Sequence, residues 1–133
     1  MWIRHLVLVA ALALVACSAA FAQERVRVTG LYSNMKFGTE DVTGVEIFIV
    51  YASPYDRAAH YATVQCAEGV PGKPFTTRVT VTASNVEFIA PEDRETLCPA
   101  GKFVGTVSAK GLQGTFERTK WPGFLPRKRS YWQ

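Results

Sequence analysis

Residues 102–117 read KFVGTVSAKGLQGTFE, two runs of alternating apolar and polar residues on either side of Lys110-Gly111. Period-two alternation flanking a glycine-bearing turn is the signature of an antiparallel hairpin, with Gly111 expected to supply a positive φ. Placing Ala109 opposite Leu112 sets Val107 across from Gly114 and Gly105 across from Phe116, all on the face that carries Phe103. Each glycine then leaves room that a facing side chain fills, as in aromatic rescue when the filler is Phe116. Interior glycines also permit the sharp coiling by which a small sheet closes on itself.

The same alternation extends upstream, and helical periodicity is nearly absent. Arg25–Tyr32 reads as a strand with Val26 and Val28 inward. Gly44–Ala52 is the most hydrophobic strand: Val45, Ile47, Ile49 and Tyr51 share one face, Glu46, Phe48 and Val50 the other. Ser53-Pro54-Tyr55-Asp56 breaks the pattern, Arg57–His60 fits one helical turn, and a strand resumes over Tyr61–Glu68. Gly69-Val70-Pro71-Gly72-Lys73-Pro74 is turn chemistry. Thr77–Thr82 and Val86–Ala90 flank Ala83-Ser84-Asn85, where Asn85 tolerates a positive φ. The acidic loop Pro91–Ala100 carries Cys98. About seven strands at short spacing predict an all-β domain, a small antiparallel barrel or sandwich, and the glycines favour the barrel.

The chain has 133 residues, 48% hydrophobic and 20% charged. That apolar content excludes a disordered chain, and no segment beyond the N-terminus approaches 18 uninterrupted apolar residues, which excludes a polytopic membrane protein. The N-terminus has the parts of an export signal: Arg4 with His5, apolar Leu6–Val15, and Ala20-Phe21-Ala22 before Gln23. Residues 1–22 are therefore expected to be a cleaved signal peptide. A second processing route is open, because Leu14-Val15-Ala16-Cys17 looks like a bacterial lipobox. That resemblance implies cleavage before Cys17 and its lipidation, and Ser18 is similar to the pattern of lipoproteins sent to the outer membrane. Either route implies a periplasmic, outer-membrane-anchored or secreted protein.

Removal or lipidation of Cys17 leaves one pair, Cys66 and Cys98. An even count in a short exported chain favours a disulfide. Closing a loop of about 33 residues contributes on the order of 3 to 4 kcal/mol in the chain-entropy model. Two buried thiols are the competing reading, and a metal site lacks any C-x-x-C spacing.

Formal net charge is +4, but it is unevenly placed. Residues 23–117, the expected β domain, hold nine Lys/Arg against eleven Asp/Glu; residues 118–133 hold five cations and no acid. That basic, aromatic C-terminal tail contains Trp121, Phe124, Arg127, Lys128, Arg129 and Trp132, and Pro122 and Pro126 forbid a regular helix. It suits an anionic surface or an acidic partner; alternatively Trp121, Phe124 and Leu125 close the open end of the barrel. Export makes nucleic acid an improbable partner despite the basic balance.

Chemistry is sparse. His60, the one histidine after the signal, reads as a surface or capping residue, and there is no G-x-S-x-G elbow. Glu46 and Glu87 are the carboxylates within strands, and a glycosidase needs two flanking one bond. Glu40-Asp41 and Glu92-Asp93-Arg94-Glu95 read as solvated loop acids without calcium-loop spacing. No cofactor or metal is implied, and a catalytic role is not expected. The resulting expectation is an exported non-catalytic binding module of the bacterial envelope, with loop residues such as Tyr55 and Asp56 contacting a protein or envelope polymer. An inhibitor or immunity-type protein blocking an envelope hydrolase is one version. The alternatives are an envelope assembly lipoprotein docking through its tail, and a carrier with an apolar cavity.

Overall fold

Stretches of alternating polarity form strands, and from β3 onward each strand pairs with the next. The computed structural model describes residues 25–129. The signal segment, Cys17 and Trp132 lie outside the described residues. The strands are β1 (Gly30–Ser33), β2 (Lys36–Phe37), β3 (Val42–Ser53), β4 (Asp56–Pro71), β5 (Phe75–Thr82), β6 (Asn85–Ala90), β7 (Gly101–Val107), β8 (Gly111–Phe116) and β9 (Pro122–Lys128). Strands β3 to β9 form an antiparallel meander, and β1 pairs with both β9 and β3. The sheet thus closes into an eight-stranded barrel, with β2 as an extra strand on β3.

An eight-stranded barrel leaves an interior just wide enough for side chains to fill. Inward positions of every stave supply that filling: Tyr32, Val45, Ile47, Ile49, Val64, Val86, Phe103, Leu112 and Leu125 are fully buried, and Val79 on β5 is nearly so. Phe88, Phe103, Phe116 and Trp121 are register partners across β6 to β9 and form one continuous row of rings. Phe88 stacks on Phe103 at 4.6 Å between centroids, Phe103 meets Phe116 edge-on at 5.2 Å, and Phe116 stacks on Trp121 at 5.8 Å. The next row is Val86, Gly105, Gly114 and Gly123. A Cβ on Gly114 would lie 2.9 Å from Phe103 Cε1, and one on Gly105 3.1 Å from the same atom. The glycines are therefore the space into which the ring leans.

The last hairpin keeps the expected faces but not the expected register. Val107 faces Leu112, Gly105 faces Gly114, and Phe103 faces Phe116, two residues away from the pairing read in the sequence. A shift of two preserves the inward set, whereas a shift of one would invert it. The cause is Ser108. Its N–H donates to Gly111 O at 2.8 Å and its Oγ accepts the Lys110 N–H at 3.3 Å, so Ala109-Lys110 forms the corner. Gly111 consequently lies in the strand without a positive φ, and at the β5–β6 turn Ala83, not Asn85, takes the left-handed conformation.

Other local expectations are also corrected. Arg57–His60 is the start of β4 rather than a helical turn, and β4 continues through Gly69 to Pro71. Asp56 explains the first point: its Oδ1 accepts the N–H groups of Ala58 and Ala59 and Ser53 Oγ accepts those of Tyr55 and Asp56, which satisfies the hairpin locally without a helix. His60 is 7% exposed and faces inward, with its ring 5.2 Å from that of Tyr51. Val26 is exposed, and the first stave begins at Gly30.

The largest correction concerns residues 118–129. The boundary read at Glu117 is not where the barrel ends, because Pro122–Lys128 is the eighth stave. Two prolines fit there for a geometric reason. Phe116 N–H donates to Trp121 O and Arg127 N–H to Lys110 O, so odd-numbered residues carry the ladder to β8. Pro122 and Pro126 turn their donor-less nitrogens the other way, where β1 pairs only with Arg127 and Lys128.

At one end, Cys66 and Cys98 are joined. The loop carrying Cys98 contains a 3-10 turn at Arg94–Thr96 and lies over the β4–β5 connection: Gly72 N–H donates to Cys66 O and Lys73 N–H to Glu95 O, both at 2.8 Å. Gly72 admits no side chain, since a Cβ would strike the Thr96 backbone. Asp93 and Glu95 accept the Lys73 ammonium at 3.2 and 3.3 Å. The Asp93 carboxyl is held below the usual carboxylate range, first by the Glu95 N–H it accepts and then by Lys73. This end is called the disulfide end below; the opposite one carries the β3–β4 turn.

A chain ending at Glu117 lacks the eighth stave and the burial of Leu125 and Trp121, with Leu125 alone worth about 2 kcal/mol. It is expected to lose cooperative unfolding and amide dispersion in NMR spectra, whereas a chain ending at Arg129 keeps both.

Candidate functional site

Beyond Gly30↔Ile49 the first stave no longer pairs with β3, and beyond His60↔Val79 β5 no longer pairs with β4. Residues 50–59 therefore form a two-stranded arm that extends past its neighbours. The corner is Pro54-Tyr55, with Pro54 at the turn position that its fixed φ suits. The register shifts between Tyr51 and Ser53, the local irregularity that aligns such a turn with twisted strands. Tyr55 sits at the tip and is 98% exposed. Val50 and Tyr51 are partly exposed along the arm and Tyr61 at its base, and the Arg57 guanidinium lies 5.8 Å from the Tyr51 ring centre. Rigid aromatic groups with an arginine are the composition of protein-contact hot spots.

The expected contact residues separate into distinct roles. Tyr55 is free for contact. Asp56 holds the arm's turn through its Oδ1. Lys128 and Arg129 are exposed at the same end as the arm. Phe124 is 45% exposed on the outer wall, its ring over the bare Gly111 position. Trp121 is at the opposite, disulfide end. The described tail residues are thus distributed around the barrel.

Arg127 belongs to the fold. Its guanidinium donates to Thr29 O at 3.0 Å, Arg27 O at 2.7 Å and Ser108 O at 3.3 Å, and it lies 4.8 Å from the Tyr32 ring centre. It therefore fastens the segment before β1 to the β7–β8 turn. Tyr32, beneath it, donates its hydroxyl to Val28 O at 2.6 Å. Burial pushes the Tyr32 hydroxyl above its ordinary pKa, with Arg127 and Arg27 opposing.

Two of the cavities bordered by the described residues bear on a site. One, of about 560 Å³, dents the outer wall above the glycine row and is bordered by Thr80, Glu87, Val104, Thr106 and Gln113. The other, of about 360 Å³, is the barrel mouth at the disulfide end, between Thr43, Glu68, Leu97, Pro99 and Trp121. Sequence reading missed this mouth, although Glu68 lies two residues beyond Cys66 and Leu97 and Pro99 flank Cys98. Glu46 and Glu87 lie on β3 and β6 with two staves between them, and both point outward, so they do not flank a common site. Among the described residues, no three of His, Cys, Asp and Glu gather where a metal would sit. In comparisons with protein families, curated proteins and solved structures, the chain matches none.

Replacing Arg127 with Ala removes charge-assisted bonds to three carbonyls and is expected to cost about 2 kcal/mol in denaturant unfolding. Lysine should restore little, because it cannot span the three acceptors as a planar fork. A second expectation concerns alkaline pH. Because the Tyr32 pKa is raised in the fold, its contribution is fully present below about pH 10 and is lost as pH rises through the folded value. Unfolding midpoints should fall above about pH 10, and Tyr32→Phe should flatten that limb while losing about 1 kcal/mol at neutral pH.

Proposed function

We propose that this protein is an exported, non-catalytic binding module of the bacterial envelope that engages a protein partner through the Tyr55 arm. The observation that carries this reading is a fully exposed tyrosine on a hairpin whose turn is held by Ser53 and Asp56. Ordering a loop on binding costs free energy, and a hairpin already fixed by its own hydrogen bonds avoids much of that cost. The narrow arm has the shape for entering a cleft, which fits an inhibitor or immunity-type protein that occludes an envelope hydrolase. Lys110, Lys128 and Arg129 at the same end favour a partner with an acidic surface around that cleft. The interior is filled by the protein's own rings, which favours surface recognition over carriage of an apolar ligand.

A photo-crosslinking residue at position 55, in the chain expressed in its own cell envelope, tests this reading. One discrete protein adduct is expected, competed by excess wild-type protein and not by Tyr55→Ala. Loss of a hot-spot tyrosine should weaken that competition roughly thirty-fold, about 2 kcal/mol, with the unfolding midpoint unchanged. No adduct, or the same adducts from a crosslinker at the exposed Ile89 on the outer wall, would refute the assignment.

A further inference from the structure

The barrel mouth at the disulfide end is a built cavity, and its chemistry differs from that of the arm. Thr43 and Glu68 are register partners one step beyond the buried pair Val45 and Cys66, so they continue the inward rows to the rim. Leu97 and Pro99 stand on either side of Cys98 and are placed over the mouth by the disulfide. Trp121 closes the far wall, held by its stacking on Phe116. The walls are apolar and aromatic, and the ionisable group in the lining is Glu68. Lys36 shares a cross-strand row with Glu68, with Thr43 between them. Among the described residues, the side-chain ion pairs are those of Lys73, and Lys36 and Glu68 are not in direct contact.

An indole ring, stacked on Phe116 by one of its faces, and a carboxylate border a small apolar recess, and together they are complementary to one chemical class. The indole quadrupole attracts a cation, the carboxylate supplies the opposite charge, and the apolar wall accommodates an alkyl stem. An anion meets repulsion from Glu68, and a neutral alkyl group gains nothing from it. We infer that the mouth bounded by Glu68, Trp121, Leu97 and Pro99 is a binding site for an aliphatic ammonium group. The site lies at the opposite end of the barrel from the Tyr55 arm and does not depend on the function proposed for that arm.

The test is a titration of the exported, disulfide-intact protein with n-butylammonium, followed by ¹H–¹⁵N NMR at the Trp121 indole N–H and the Leu97 and Glu68 amides. Saturable shifts at these three groups are expected, with 1-butanol binding roughly fivefold or more weakly. That comparison uses the unaltered protein, so it stands whether or not a variant folds. Glu68→Gln, at an exposed rim position, should weaken n-butylammonium by a similar factor and leave 1-butanol unchanged. Binding of Nα-acetyl-lysine N-methylamide at the same groups identifies a peptide side chain as a source of the ammonium; its exclusion, with n-butylammonium still bound, identifies a free amine. Shifts that do not saturate, equal affinity for 1-butanol, or indifference to Glu68→Gln would each overturn the proposal.

Discussion

The row of rings Phe88–Phe103–Phe116–Trp121 is the constraint on which the rest of the barrel depends. It places one aromatic side chain on each of β6, β7 and β8 and one just before β9, so a slip of β7 or β8 breaks ring contacts on both sides together. Such a row is too bulky for a narrow interior unless the neighbouring layer is thin. Gly105 and Gly114 make that layer thin, and the Phe103 ring occupies the volume that their side chains would have taken. Alternating large and small layers is how a small barrel fits its own taper. The outer wall records the same choice, because the dent bordered by Thr106 and Gln113 lies over the bare positions.

Closure is a separate problem, since the first and last staves are about a hundred residues apart and loop-closure entropy opposes their meeting. The ladder between β1 and β9 is short, with Leu31 facing Lys128 and Tyr32 facing Arg127. Side chains complete what the ladder lacks. Arg127 binds carbonyls on both sides of the seam, and Tyr32 ties the strand to the residues before it. At the other edge of the same stave, Asn34 Oδ1 accepts the Val45 N–H at 2.8 Å, replacing a ladder bond where β1 breaks off. The register resumes unchanged in β2, with Phe37 facing Val42.

Period-two alternation made seven of the eight staves legible, because inward Val, Ile and Phe residues at every second position leave no other face to bury. The paired cysteines were legible once Cys17 was assigned to the N-terminal signal, which leaves an even count. Single-residue turn chemistry was less so: Ser108 and Asp56 act through side-chain-to-backbone bonds whose geometry composition does not encode. The eighth stave was hidden for a different reason. Trp121 to Arg129 reads as basic and proline-broken, and the parity that makes Pro122 and Pro126 harmless appears only once β8 is beside them. Arg127 misled in the same way, since a cation in a basic run carries no sign that three backbone carbonyls from distant segments will converge on it. The mouth joins residues from β3, β4, the disulfide loop and the β8–β9 connection, and no linear pattern connects them.

The two ends of the barrel are stabilised by different means, and this separates what each can do. The disulfide end is cross-linked, with Cys66–Cys98, Gly72 and the Lys73 ion pairs fixing one loop over another. A recess there keeps its shape without a ligand, which suits recognition of one small group by fixed walls. The opposite end has no covalent tie among the described residues; its arm is held by hydrogen bonds within the arm itself. The last pairings that join this arm to the neighbouring staves are Ile49 with Gly30 and His60 with Val79. His60 lies at that boundary, buried, with Nδ1 lacking a hydrogen-bond partner among the described residues. A buried, unpartnered nitrogen weakens local packing, and it is placed where the closed barrel gives way to the free-standing arm.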